Sequence, residues 1–339
     1  MPHARKAPFL AAPALALCLI AAGSPAAPRY AVTGHIAAAD GGWDYATYDA
    51  TENRVYIARS DAVTAIDVAT GTAIQLTTAS RAHAVVLIPD TPLLAETDGN
   101  SASVRLIDRH SGAEMAKIPV GEKPDAAIFD PRTGLLLVMN AKSGTMSVVD
   151  PAKAVVTATV TLKPGLEFAA IDGAHRLFVN NEDENEMEVV DLDTLKVLSP
   201  IALKGCTEPS GLAYSEKARR LIAACGNGVA AVVDPKARKM VRTVVIGDGP
   251  DAVILDDARG LAFIPSGKSG VLDILRLDTS GAVTSTGQVT TAVSARTGTI
   301  NPATGSIFLP NGRFAQIKSQ ESRPSLIAGS FNILVIQPS

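Results

Sequence analysis

The chain has 339 residues, 47% hydrophobic and 19% charged, which excludes intrinsic disorder and leaves material for a large core. Aromatic residues make up only 4%, so that core must come mainly from alanine, valine, leucine and isoleucine. A formal charge of −3 without any basic tract speaks against a nucleic acid partner.

The first stretch reads as a targeting segment rather than as fold. Arg5 and Lys6 are followed by an apolar, alanine-rich run from Ala7 to Ala22, then by small residues at Ser24 and Ala26. Residues 1–26 are therefore expected to be a signal peptide and 27–339 a single exported domain. The run is shorter than the ~20 apolar residues that span a bilayer. Leu17 precedes Cys18 where lipobox sequences carry Gly or Ala, so a soluble periplasmic or secreted product is expected, with no membrane span in the mature chain. Two cysteines remain after cleavage, Cys206 and Cys225, and an even count in an oxidising compartment suggests a disulfide.

Tyr30 to Ile36 reads as a lone strand ahead of a repeating pattern. Each repeat has an apolar strand, a turn, a second apolar strand, a loop, and a third strand ending in Asp. The third repeat is clearest: Lys123 to Phe129, the turn Asp130-Pro131-Arg132-Thr133-Gly134, Leu135 to Asn140, and Met146 to Asp150. The closing Asp recurs at Asp67, Asp108, Asp150, Asp191, Asp234 and Asp278. The start of the first strand recurs at Asp44, His83, Asp125, Phe168, Ser210, Asp251 and Arg296. Both markers keep a period of about 40–45 residues, the length of a four-stranded propeller blade. The short β-branched runs offer no long 3.6-residue periodicity for helical repeats. The expected fold is all-β, a seven-bladed β-propeller. The last repeat, ending in Phe331 to Ile336, has three strands, so the N-terminal strand is expected to complete it and remove the exposed edges. The recurring Asp is read as a turn-capping residue rather than as chemistry.

The third repeat, with Lys123-Pro124-Asp125 leading through Met139-Asn140 to Ser147-Val148-Val149-Asp150, resembles the YVTN or YncE-like propeller family. Gly249-Pro250-Asp251-Ala252-Val253 in the sixth repeat carries the same opening. The resemblance covers essentially the whole mature chain and implies the fold. It does not imply one chemistry, because the family is not defined by one. Phe168 and Arg296 depart from the small or acidic residue at the start of the strand, and the seventh repeat has a long insertion.

In a propeller the first strand of each blade lines the central channel. Trp43, Asp44, His83, Asp125, Glu167, Phe168, Ser210, Asp251 and Arg296 are therefore expected to ring one mouth of that channel, a default place for a ligand. Three readings stay open. The residues are simply a wet rim, or they recognise a small molecule or peptide, with Arg296 holding a carboxylate and Trp43 stacking. Alternatively His83 with some of Asp44, Asp125 and Asp251 holds a divalent metal. The acidic run Glu182 to Glu186 reads as a solvated loop. The insertion from Asn311 to about Ala328, with Arg313, Lys318 and Arg323, is expected to overhang the mouth.

No Gly-x-Ser-x-Gly, phosphate-binding glycine loop or Cys-x-x-Cys-His occurs. His110 and His175 fall in turns on the opposite face, and a redox role for the cysteines lacks an activating neighbour. A binding or scaffolding module for a small molecule, peptide or protein, monomeric and without a required cofactor, is the expected function. The competing class is a metal-dependent hydrolase of lactonase type, for which Glu167, Asp251 and Asn180 are the candidate ligands.

Overall fold

The computed structural model describes Met1, His3, Ala4 and residues 29–315 and 324–339. Most of the expected signal peptide, Lys318 and Arg323 lie outside the described residues. The described residues form seven four-stranded antiparallel sheets arranged as a β-propeller. The strands nearest the channel are Trp43–Asp49, Ala82–Leu87, Pro124–Asp130, Leu166–Ile171, Pro209–Ser215, Ile254–Asp256 and Thr299–Ile300. No helix among the described residues is long and apolar enough to cross a membrane.

Burial follows position in the blade. The second strand of blade three, Leu135–Asn140, is buried along nearly its whole length because neighbouring blades cover both of its faces. Its outermost strand, Val155–Thr161, mostly alternates with exposed residues, as a rim strand should. Space narrows toward the axis, so small residues gather there. A Cβ at Gly211 would lie 2.4 Å from Cα of Ala252, so glycine is what lets blades five and six approach.

Blade seven closes the ring. Its sheet runs from Thr299–Ile300 through Ile307–Asn311 and Asn332–Pro338 to the N-terminal strand Tyr30–Ala37. The last two pair antiparallel from Tyr30 opposite Pro338 to Ala37 opposite Asn332, with a bulge between Val32 and Gly34. The strand Tyr30–Ala37 thus covers the edge of Asn332–Pro338 and completes the four-stranded sheet.

The closing aspartates cap turns. Asp67 accepts from the Thr70 amide, Asp108 from Ser111, Asp150 from Lys153, Asp191 from Thr194, Asp234 from Ala237 and Asp278 from Ser280. The positive φ that follows falls on Gly71 and Gly112, but also on Ala154, Leu195 and Arg238. The carboxylate cap is therefore the common device, and glycine is optional.

His175 locks blades three and four on the face away from the mouth. Its Nε2 is 2.9 Å from Asp130 and its Nδ1 2.7 Å from Asp193, and only the imidazolium donates from both nitrogens. Burial opposes that charge, but the hydrogen bonds to the two carboxylates outweigh it and raise the pKa above 6.5. A raised histidine stabilises the fold fully below its unfolded value, and the contribution fades as pH climbs through the folded value. His175→Asn, which tolerates the φ of 58° at this position, should cost most in urea denaturation at pH 5.5. The gap to wild type should narrow as the pH is raised, and a gap independent of pH would mean that His175 is not ionised.

Candidate functional site

The mouth is built by a repeated irregularity. Trp43, Ala82, Pro124, Leu166 and Pro209 each pair with the end of the neighbouring strand, and the register slips immediately afterwards. Such bulges free a residue from the ladder and re-aim its side chain. The residues that follow, Asp44, His83, Asp125, Glu167 and Ser210, occupy equivalent positions, and Asp251 follows Pro250 in the same way. The fourth blade thus contributes Glu167 to this ring. Phe168, taken from the sequence as the marker, stands one residue further on, in the position of Tyr45.

That one-residue difference has a physical consequence. The next ring down holds Tyr45, Ala84, Ala126, Phe168, Gly211 and Ala252. The small members leave room, and Tyr45 and Phe168 pack across it with ring centroids 4.7 Å apart. The two aromatic rings form a floor beneath the charged mouth. Beyond them lies a largely apolar cavity of about 330 Å³, lined by Val86, Ile128, Ile254 and Leu255 among others.

Above the floor, the ionisable side chains converge. His83 Nδ1 is 2.7 Å from Asp44 Oδ2 and 2.8 Å from Asp125 Oδ1, while Lys123 Nζ is 2.9 Å from Asp125 Oδ2. Arg296 Nε donates to Asp251 at 2.7 Å and its Nη2 to the Trp43 carbonyl at 3.2 Å. Burial opposes charge on His83, but Asp125 and Asp44 hold its pKa up to about 9. Arg81 Nε lies 3.1 Å from His83 Nε2, a contact that fits only the neutral ring. The carboxylates of Asp44 and Asp125 at Nδ1 favour a proton on the ring, and the arginine at Nε2 opposes a second one. Asp251 is pushed up to about 6 by burial, against the pull of Arg296. Asp125 is held below the ordinary value: burial would raise it, but His83 and Lys123 prevail.

Glu167 is the exception. It is 9% exposed, and among the described residues it has neither a hydrogen bond nor an ion pair. Burial, then the fields of Asp125 and Asp251, drive its pKa far above the usual carboxyl range.

Several expected roles are corrected. Trp43 is 5% exposed and packed between Phe314 and Phe331, so it offers no face for a ligand to stack on. Arg296 is engaged by Asp251 through Nε and by the Trp43 carbonyl through Nη2, so part of its guanidinium is already used within the ring. Ser210 donates to the Pro250 carbonyl. Asn180 spends its amide on the carbonyls of Ser210 and Gly211, which ties blades four and five together. Among the described His, Cys, Asp and Glu side chains, the group whose ligand atoms come within metal-binding reach is Asp44, His83 and Asp125. In blades six and seven the innermost strand is short, and the Asp251 amide bonds across to the Arg296 carbonyl.

The base of the blade-seven insertion packs beside the mouth. Phe314 bridges to Leu326 and, with Asp44, His83, Arg81 and Arg296, lines a cleft of about 230 Å³. In the acidic run, Lys163 pairs with Glu186 and Glu184, as a solvated charged loop does. Cys206 and Cys225 form a disulfide with Cα atoms 5.3 Å apart, in blade five.

Reasoning from sequence missed Lys123 and Arg81. Each stands two residues before a mouth residue, the spacing that places side chains on one side of an extended chain, so that signal was present. It also missed the paired roles of Tyr45 and Phe168.

No protein-family model matches the chain, and no curated protein sequence matches it. Solved structures do. The chain is similar to the structure of RRP9 WD40 repeats, with a TM-score of 0.75 at 11% identity, over 92% of this chain and 99% of that one. It is similar to U3-55K, with a TM-score of 0.72 at 10% identity, over 90% and 98%. A Kuenenia stuttgartiensis hydrazine synthase chain gives a TM-score of 0.67 at 14% identity, over 87% and 97%. At such identities the likeness establishes the propeller fold.

Proposed function

We propose that this is an exported, YVTN or YncE-like binding propeller that captures a cationic ligand at the carboxylate-lined channel mouth. One observation carries the reading: Glu167 is 9% exposed, has no hydrogen bond or ion pair among the described residues, and is set among Asp125 and Asp251, while Lys123, the cation in its field, is paired with Asp125. In pairs, Asp251 has Arg296, and Asp125 has Lys123 and His83, so Glu167 is the carboxyl left over. An unpaired buried carboxyl is costly when ionised, and a bound cation removes that cost. The aromatic floor gives the site a closed end, and the 230 Å³ cleft opens at its Asp44 and His83 side. The disulfide supports export, because such bonds persist in oxidising compartments.

The test is a thermal-shift series with agmatine, spermidine, Zn²⁺, Mn²⁺ and Ca²⁺ on wild type and Glu167→Gln. At least one cation should raise the melting temperature of wild type, and the shift should shrink in the variant. If no cation moves the wild-type transition, the mouth does not capture cations and the reading falls.

A further inference from the structure

We infer that the cation is a first-row transition-metal dication held by Nδ1 of His83 and the carboxylates of Asp44 and Asp125, an inference that rests on the cation-capture reading above. The geometry points to a metal through a mismatch in hydrogen bonding. His83 Nδ1 has carboxylate oxygens at 2.7 and 2.8 Å, from two different residues. One N–H lies in the ring plane along one direction and serves one acceptor well. A proton therefore leaves the second carboxylate poorly satisfied. A cation in front of the Nδ1 lone pair satisfies both.

Spacing and charge agree with this. The three donor atoms lie within 4.8 Å of one another. Bonds of about 2.1 Å place neighbouring donors in a coordination sphere about 3 Å apart and opposite ones about 4.2 Å apart. Two carboxylates and a neutral imidazole cancel the charge of a dication. The donors come from equivalent bulge positions on three successive blades, so the β-sheets fix them before any metal arrives.

The surroundings complete the site. Lys123 binds the far oxygen of Asp125, which orients the carboxylate and leaves Oδ1 for the metal. Glu167, the next residue around the ring, is nine-tenths buried and has no hydrogen bond or ion pair among the described residues, so its carboxyl is available beside the metal. The open coordination positions have access through the cleft lined by Asp44 and His83. A metal on Nδ1 places the ring proton on Nε2, so Arg81 must swing away from the ring on loading. One imidazole with two carboxylates suits Zn²⁺, Mn²⁺, Fe²⁺ or Co²⁺ better than Ca²⁺, which prefers an all-oxygen shell.

The experiment uses the full chain, stripped with EDTA and titrated with Zn²⁺ by calorimetry, with metal content checked by mass spectrometry. Visible absorption of the Co²⁺ form reports its ligands. One Zn²⁺ per chain is expected, and Ca²⁺ should not displace it. Asp125→Asn and His83→Gln should each weaken binding by more than about a hundredfold. Asp44→Asn, at the most exposed of the three ligands, gives a third variant for which folding is least at risk, and circular dichroism verifies all three. Zn²⁺ binding that is unchanged in folded variants would place the metal elsewhere and overturn the inference. If Zn²⁺ fails to bind while agmatine or spermidine still shifts wild type and not Glu167→Gln, the metal falls and cation capture stands. If neither binds, both fall.

Discussion

A chain beginning at residue 38, without the strand Tyr30–Ala37, is expected to lose its cooperative thermal transition. That strand supplies the outer ladder of blade seven, from Tyr30 opposite Pro338 to Ala37 opposite Asn332. It buries Tyr30, which packs edge-on against Phe263 at 4.8 Å, and Ile36 against Trp43 and Phe331. Each such side chain stabilises by roughly 1.5–3 kcal/mol, before any loss of ladder hydrogen bonds. The total approaches the ~5–15 kcal/mol that holds a whole domain. Deletion also bares the Asn332–Pro338 edge, which invites association between chains. Circular dichroism melts and size-exclusion chromatography should show a broad transition and aggregates, against a sharp melt for residues 27–339. A peptide of residues 29–38 added in trans should restore the sharp melt. An unchanged melting temperature for the shortened chain would mean that the ring is held shut by contacts between blade faces alone.

The second large effect concerns blade five. Replacing both Cys206 and Cys225 with alanine should cost about 3 kcal/mol in urea denaturation, the order expected when a cross-link of this loop size is removed. The two residues are 19 apart in sequence and both are buried. Wild type unfolded under reducing conditions should match the double variant, and a midpoint insensitive to reductant would show that the bond carries no stability. Cys206 sits in the segment that leads to Ser210, so its release should also loosen that side of the mouth. Binding of the cation should weaken modestly and in parallel, since Ser210 and Gly211 anchor Asn180 of the neighbouring blade.

Much of the architecture was legible from residue order. The closing aspartates and the apolar hairpins are local devices: a carboxylate capping amides two or three residues on, and strands whose length and burial follow from a fixed period. A repeated local device reveals a repeated fold, so the blade count, the missing strand of blade seven and its N-terminal replacement could be read without coordinates. The Cys206–Cys225 pair could be read from their count.

The chemistry of the mouth was legible only in outline. The innermost strands line the channel, so the residues that begin them meet at one mouth. A bulge, however, moves the side chain by one position, and that decided whether Glu167 or Phe168 faced the mouth. The partners of Trp43 and Arg296 lie across the ring closure: Arg296 reaches the Trp43 carbonyl over a separation of 253 residues. By itself the sequence determined which segments are strands and how many blades they make, because hydrogen-bonded turns and alternating burial act over a few residues. Which carboxyl has a cation, which aromatic ring is buried and which is the floor of the channel were decided by the tertiary structure. Those pairings depend on seven sheets meeting around one axis, and no short-range pattern encodes that meeting.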